Sequence, residues 1–134
     1  MAKTILCTTN FSASSKHAVQ WAVNLARQLK AHVTILYTYR LIKSHNGEAV
    51  ALKKQIEKEA LQHFEDLEQD ILEGQNVSYD FRIEIGFVTD RIEQLIQKTP
   101  VTFLVMDKEQ MSANNKESFE ELVEQIKIPL VIVP

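Results

Sequence analysis

Glycine is scarce in this chain of 134 residues: there are three, about 2% of the sequence, against roughly 7% in ordinary proteins. Loops that cradle phosphate need several glycines so that backbone N–H groups can approach an anion. A P-loop or a dinucleotide fingerprint is therefore excluded before any motif is sought. Cysteine is nearly absent too. Cys7 stands alone, which excludes an internal disulfide and any metal site built from cysteines. It lies in an apolar run and reads as a small buried hydrophobe rather than a nucleophile. No stretch approaches the roughly 18 apolar residues of a membrane span, and Met1 to Asn10 lack the apolar core of a signal peptide. The expectation is a reducing, cytoplasmic setting away from membranes. Positive charge is not in excess either. Fifteen Lys and Arg face 18 Asp and Glu, a net charge of −3, and no basic run is interleaved with aromatics. Nothing in that balance draws the chain to nucleic acid or anionic lipid.

What remains is the composition of one soluble domain over residues 1–134, 45% hydrophobic and 25% charged. Short β-branched runs alternate with longer amphipathic segments. Lys3 to Thr8 reads as a strand buried on both faces. Ser12 then caps a helix running to about Lys30, with an apolar stripe of Ala18, Ala22, Leu25 and Leu29 widened by Trp21 and Ala26. Val33 to Tyr37 is a second strand. A loop with Ser44, Asn46 and Gly47 leads into a long helix, Glu48 to Leu72, whose apolar face is Leu52, Ile56, Ala60, Phe64, Leu67 and Ile71. Gly74 ends it. Val77 to Ile85 alternates and reads as a half-exposed edge strand. Gly86 turns the chain, and Thr89 or Asp90 opens a third helix that Thr99-Pro100 closes. Val101 to Met106 is a fourth strand, followed by a polar loop and a helix near Asn115 to Lys127 with Phe119, Leu122, Val123 and Ile126 inward. Ile128 to Val133 is the fifth strand, with Pro129 suited to its start or to an edge. The order βαβαβαβαβ predicts an α/β fold, a parallel sheet with helices on both faces.

In an open parallel sheet the ligand crevice lies at the carboxyl ends of the strands, where strand order reverses. Thr8-Thr9-Asn10, Thr38-Tyr39-Arg40 and Asp107-Lys108-Glu109 fall there, although polar residues after apolar strands are also ordinary loop chemistry. His17, His32, His45 and His63 have no helical metal-site spacing, so no metal is expected. Ser12, Ser14 and Ser15 are first a capping signature. A Gly-x-Ser-x-Gly elbow is absent, and no catalytic residue is assigned.

Several stretches together resemble the universal stress protein family. Lys3-Thr4-Ile5-Leu6, then Asn10-Phe11-Ser12 and an alanine-rich helix, is similar to the family's opening. Val33 to Tyr37 is similar to its second strand, and Gly86-Phe87-Val88-Thr89-Asp90-Arg91-Ile92 to its turn into the third helix. Val101 to Met106 resembles its fourth strand, and Pro129 to Pro134 its closing one. The resemblance implies a Rossmann-like fold of the adenine nucleotide alpha hydrolase type, an open five-stranded parallel sheet of order 3-2-1-4-5 that commonly dimerises through the last strand. It also implies, in many members, ATP held by an aspartate after strand one, by the end of strand two, and by a motif G-x-x-G followed at a distance by G-S or G-T.

Position by position, that equipment is mostly missing. The aspartate position is Asn10, the first motif glycine is Asp107, and the Gly-Ser position falls near Lys116-Glu117. No glycine occurs after Gly86. From Asp107 to Glu124 two lysines, Lys108 and Lys116, face six carboxylates: Asp107, Glu109, Glu117, Glu120, Glu121 and Glu124. The expectation is a universal stress protein-like domain with no cofactor. It would act through an unidentified protein partner, as a homodimer or the first half of a tandem, using Leu130, Val131, Ile132 and Val133. The alternative is a small-ligand sensor that keeps a vestigial nucleoside pocket at Thr9, Asn10, Thr38 and Asp107.

Overall fold

A computed structural model describes residues 3–41, 48–113 and 119–134. The elements in chain order are β1 (Thr4–Thr8), α1 (Ala13–Leu29), β2 (His32–Tyr39), α2 (Glu48–Leu67) running on into a π-helical turn (Glu68–Leu72), β3 (Tyr79–Ile85), α3 (Val88–Lys98), β4 (Phe103–Asp107), α4 (Lys108–Ala113), α5 (Phe119–Ile126) and β5 (Leu130–Val133). The strands form one sheet of order β3-β2-β1-β4-β5, parallel throughout, as the sequence predicts. The chain works outward from β1 to β2 and β3, then crosses back to β4 and β5. The crossovers divide the helices between the two faces. One core joins Ile5, Cys7, Val33, Ile35 and Val105 to α1 and to the end of α2, while the other joins Leu6, Leu36, Leu104 and Met106 to α3 and α5.

α1 lies on β1 and β4, and its buried face is Ser15, Ala18, Val19, Ala22, Val23 and Ala26. Small side chains let the helix backbone approach the central strands closely. This corrects the expected stripe: Leu25 and Leu29 are only partly buried, and Trp21 is 47% exposed, because the sheet contact is narrow and centred on the alanines. The apolar face of α2 is also shorter than its pattern. Ala60, Phe64, Leu67 and Ile71 are buried, but Leu52 is 42% exposed. A helix of 20 residues spans about 30 Å, and its first turns outrun the sheet. Strands 3, 4 and 5 each begin two residues later than the sequence suggests. Val77, Val101 and Ile128 pack against the cores without entering the ladder, although the Pro129 carbonyl accepts from Leu104 N–H at 3.0 Å.

The ends of the elements follow local chemistry. Ser12 caps α1, its Oγ accepting from the Ser15 N–H, and Thr99 stops α3 in extended backbone ahead of Pro100. α3 opens at Val88 rather than at Thr89 or Asp90. Gly74 and Gly86 have φ of 75° and 135°, where side chains are strained. Among the described residues four non-glycine residues also turn with positive φ: Phe11, Lys30, Asn76 and Lys127. Ser44, Asn46, Gly47 and His45, and the expected helix start at Asn115 with Lys116 and Glu117, lie outside the described residues, as do the side chains of Phe119, Glu120 and Glu121.

β3 is the sheet edge expected of a half-exposed strand, and a polar clasp holds it to β2. His32 Nε2 meets Asp80 Oδ1 at 2.7 Å, His32 Nδ1 meets Ser78 Oγ at 2.9 Å, and Thr34 Oγ1 donates to Asp80 Oδ1 at 2.7 Å. Burial pushes the Asp80 carboxyl up, but hydrogen bonds from Thr34 and His32 and the nearby charges of His32 and Arg82 outweigh it and leave it lowered.

Two outcomes are expected from these contacts. Ser12→Ala, which removes the cap of α1, lowers unfolding free energy by about 1 kcal/mol in urea titrations. A carboxylate with a depressed folded-state pKa stabilises above its unfolded value, near 4, and loses that contribution as pH falls through the folded value. Asp80→Asn therefore lowers the urea midpoint at pH 7, and the gap to wild type closes as the pH is brought down toward 3.

Candidate functional site

The reversal of strand order lies between β1 and β4, so their carboxyl ends mark the crevice of such a fold. β1 ends at Thr8, and the turn Thr9-Asn10-Phe11 carries the chain into α1 through side chains that mimic backbone. Thr9 Oγ1 accepts from Phe11 N–H at 3.0 Å, and Asn10 Oδ1 accepts from Ser12 N–H at 3.1 Å. Ser15 Oγ, fully buried, meets Thr9 Oγ1 at 3.1 Å and donates to the Ser12 carbonyl at 3.1 Å. Asn10 is thus occupied in closing a turn.

β4 ends at Asp107, whose side chain is fully buried. Asp107 is the cap of α4: its Oδ2 accepts from the Gln110 N–H at 3.0 Å. Gln110, itself buried, turns its amide inward, where Nε2 donates to Asp107 Oδ1 and, at 3.2 Å, to the Thr8 carbonyl. Ser14 on α1 faces the same carboxylate. Its Oγ lies 3.0 Å from Asp107 Oδ2 and 2.9 Å from Glu109 Oε2, so one hydroxyl proton serves two carboxylates. The crevice between β1 and β4 is bridged by the chain's own side chains.

Of the residues singled out from sequence, Thr9, Asn10 and Asp107 are gathered around the start of α1, linked through Ser12, Ser14 and Ser15. Thr38 is not. It shares the β2 face of Leu36, toward α3, whereas Asp107 shares the β4 face of Val105, toward α1. Thr8 also points toward α3, and its buried Oγ1 has no hydrogen-bond partner among the described residues. The expected polar loop after β4 is α4 instead, and Gln110 was missed with it. The signal was present as Asp107-Lys108-Glu109-Gln110, a capping residue followed three positions later by Gln.

Beside Thr9 a cavity of ≈ 200 Å³ opens between α1 and α2, lined by Phe11, Lys16, His63, Asp66 and Asp70 among others. Phe11 stacks on His63 and packs against Tyr37, at centroid distances of 5.2 and 5.1 Å. Lys16 pairs with Asp70 at 2.9 Å. Cys7 is buried, and burial, aided by the Asp107 charge, pushes its thiol far above the ordinary range. It is the inert small hydrophobe read from sequence.

The family model for universal stress proteins matches residues 1–134. The chain belongs to the universal stress protein family. Solved structures of the family share its fold at low identity. The universal stress protein UspA from Lactobacillus plantarum is 17% identical over 98% of this chain and 97% of its own, with a TM-score of 0.81. A family protein from Burkholderia pseudomallei is 18% identical over 98% and 96%, with a TM-score of 0.78. A universal stress protein in complex with cAMP is 19% identical over 98% and 97%, with a TM-score of 0.75. None of the curated proteins matches the chain. Among the described residues no helix is long and apolar enough to cross a membrane, and no three His, Cys, Asp or Glu side chains converge as a metal would require.

Opposite changes in stability are expected within this cluster. Asp107→Ala strands the Gln110 donors, while Ser14 keeps Glu109, and costs about 3 kcal/mol. Thr8→Val deletes an unpaired buried hydroxyl and raises stability by about 1 kcal/mol. Both are read from urea unfolding at neutral pH.

Proposed function

We propose that this universal stress protein acts by protein association, pairing with a second copy through β5, without catalysis and without holding ATP in the manner of the family's nucleotide-binding members. The observation that carries the reading is the last strand. β5 is a sheet edge, and Ile132 on it and Val123 on the helix leading into it are 49% and 45% exposed. An apolar edge with unpaired backbone groups is a surface that proteins normally cover. Of the four residues expected at the contact, Val133 is buried, Leu130 and Val131 are half-buried, and Ile132 is the most open.

The switch point supports the rest of the reading. Gln110 fills the space between Thr8 and Asp107, and the positive end of α1 faces Asp107 and Glu109 through Ser14. A helix start offers an anion only about half a charge, and two carboxylates already use it. No glycine follows Gly86 to rebuild the phosphate loop. Cys7 is too deeply buried to serve as a nucleophile.

A second reading, a sensor of nucleosides, draws on the unpaired Thr8 hydroxyl at the switch point and on the family structure solved with cAMP.

Light scattering coupled to size exclusion at tens of micromolar is expected to give a dimer, and Ile132→Lys a folded monomer. A wild-type monomer would sink the association reading. Thermal shift with millimolar ATP is expected to leave Tm unmoved, whereas a ligand at 100 times its Kd adds about 2.7 kcal/mol. A rise with ATP overturns the proposal, and a rise with adenosine or cAMP alone selects the second reading.

A further inference from the structure

At the other end of the sheet, between the β2–β3 clasp and the end of α3, lies a cavity of ≈ 210 Å³ that the association reading does not use. We propose that it binds a small zwitterion with a short apolar side chain, that is, a free aliphatic α-amino acid. Its walls carry both halves of what such a ligand requires, Asp80 and Arg82, which meet only in a loose ion pair at 3.6 Å.

The acceptor half is Asp80. Its Oδ1 is saturated by His32 and Thr34, but Oδ2 accepts no hydrogen bond, and its nearest cation, Arg82 Nε, stands at 3.6 Å. That is an ion pair longer than a hydrogen bond, so among the described residues Oδ2 keeps hydrogen-bonding capacity for an ammonium group that would share it with Arg82. The carbonyl end of α3, capped at Thr99, adds negative partial charge on the same side. The donor half is Arg82, which makes no hydrogen bond among the described residues and presents the fork that matches a carboxylate. Thr4 stands with it. The residue is 8% exposed and lines the cavity, yet its hydroxyl has no partner among the described residues. Thr99 Oγ1 is in the same position.

Leu95 and Val101 complete the wall and give an aliphatic side chain an apolar surface. The volume, ≈ 210 Å³, accommodates an aliphatic amino acid. Charge decides between zwitterion and simple ion. A plain carboxylate meets Asp80, and a plain amine meets Arg82, each with like charge across a short distance. Only a ligand bearing both groups satisfies both. His32, held by Ser78 on one nitrogen and by Asp80 on the other, is the positioning residue that fixes the carboxylate.

The test is amide-resonance NMR on the full chain, titrated with L-valine. Saturable shifts at His32, Asp80, Arg82 and Thr99 are expected, with N-acetyl-L-valine (no ammonium) and isobutylamine (no carboxylate) each weaker by tenfold or more, about 1.4 kcal/mol. Arg82→Gln, on a solvent-facing side chain, is expected to weaken L-valine by a similar factor while circular dichroism stays unchanged. Thr4→Val, which removes only an unpaired hydroxyl, tests the same carboxylate from inside the wall. No saturable shift with L-valine at tens of millimolar overturns the proposal. Equal binding of N-acetyl-L-valine would make the cavity an anion site and overturn it too. So would shifts confined to the β1–β4 end.

Discussion

A carboxylate removed from water must be supplied with hydrogen-bond donors or it unfolds its surroundings, and Asp107 is wholly buried at the end of the fourth strand. The local structure around the strand reversal follows from meeting that demand. α4 begins at the very next residue, so that the Gln110 N–H reaches Oδ2. The Gln110 amide turns inward and, with a proton to spare, takes the Thr8 carbonyl as well. Ser14 arrives from the first helix. Asp107, with Gln110 reaching on to Thr8, thereby ties β4, β1, α1 and α4 together. A phosphate-binding loop needs this place open, with backbone N–H groups free.

The two ends of the sheet solve opposite problems. At the carboxyl end, polar groups other than the Thr8 hydroxyl are paired with one another inside the protein. At the amino end, the β2–β3 clasp is half exposed, and some of its groups face a cavity with their bonding capacity unspent. Between the ends, the alanine face of α1 brings that helix down onto β1 and β4, which fixes the first helix start against the fourth strand end. That close approach is what allows Ser14, 93 positions from Asp107 in sequence, to stand 3.0 Å from it.

Much of this was legible before any coordinates. Five apolar runs separated by helical patterns are enough for a parallel sheet, and the alternation of Val77 to Ile85 correctly puts β3 at an edge. The family resemblance supplied the strand order. What escaped did so for identifiable reasons. Helical periodicity marks an apolar stripe but not how wide the opposing surface is, so Trp21 was counted inward. It does not say where a sheet stops, so Leu52 was counted as core. Thr9, Asn10 and Asp107 lie around the start of α1 and Thr38 does not, because side-chain direction depends on strand parity and register. His32 was set aside because its partners Ser78 and Asp80 are 46 and 48 positions away, and only pairing in the sheet brings them opposite.

The chain's poverty in glycine also has a thermodynamic side. Among the described residues it turns four corners with side chains in the left-handed region, at Phe11, Lys30, Asn76 and Lys127, and all but the asparagine carry roughly 1–2 kcal/mol of steric strain that glycine would not. At Phe11 the ring's stacking on His63 and contact with Tyr37 accompany the strained turn. Lys30 and Lys127 are exposed helix ends with no comparable ring contact. The native state therefore sits below the stability its own backbone permits, and the unclaimed margin is concentrated at two surface positions remote from the strand reversal.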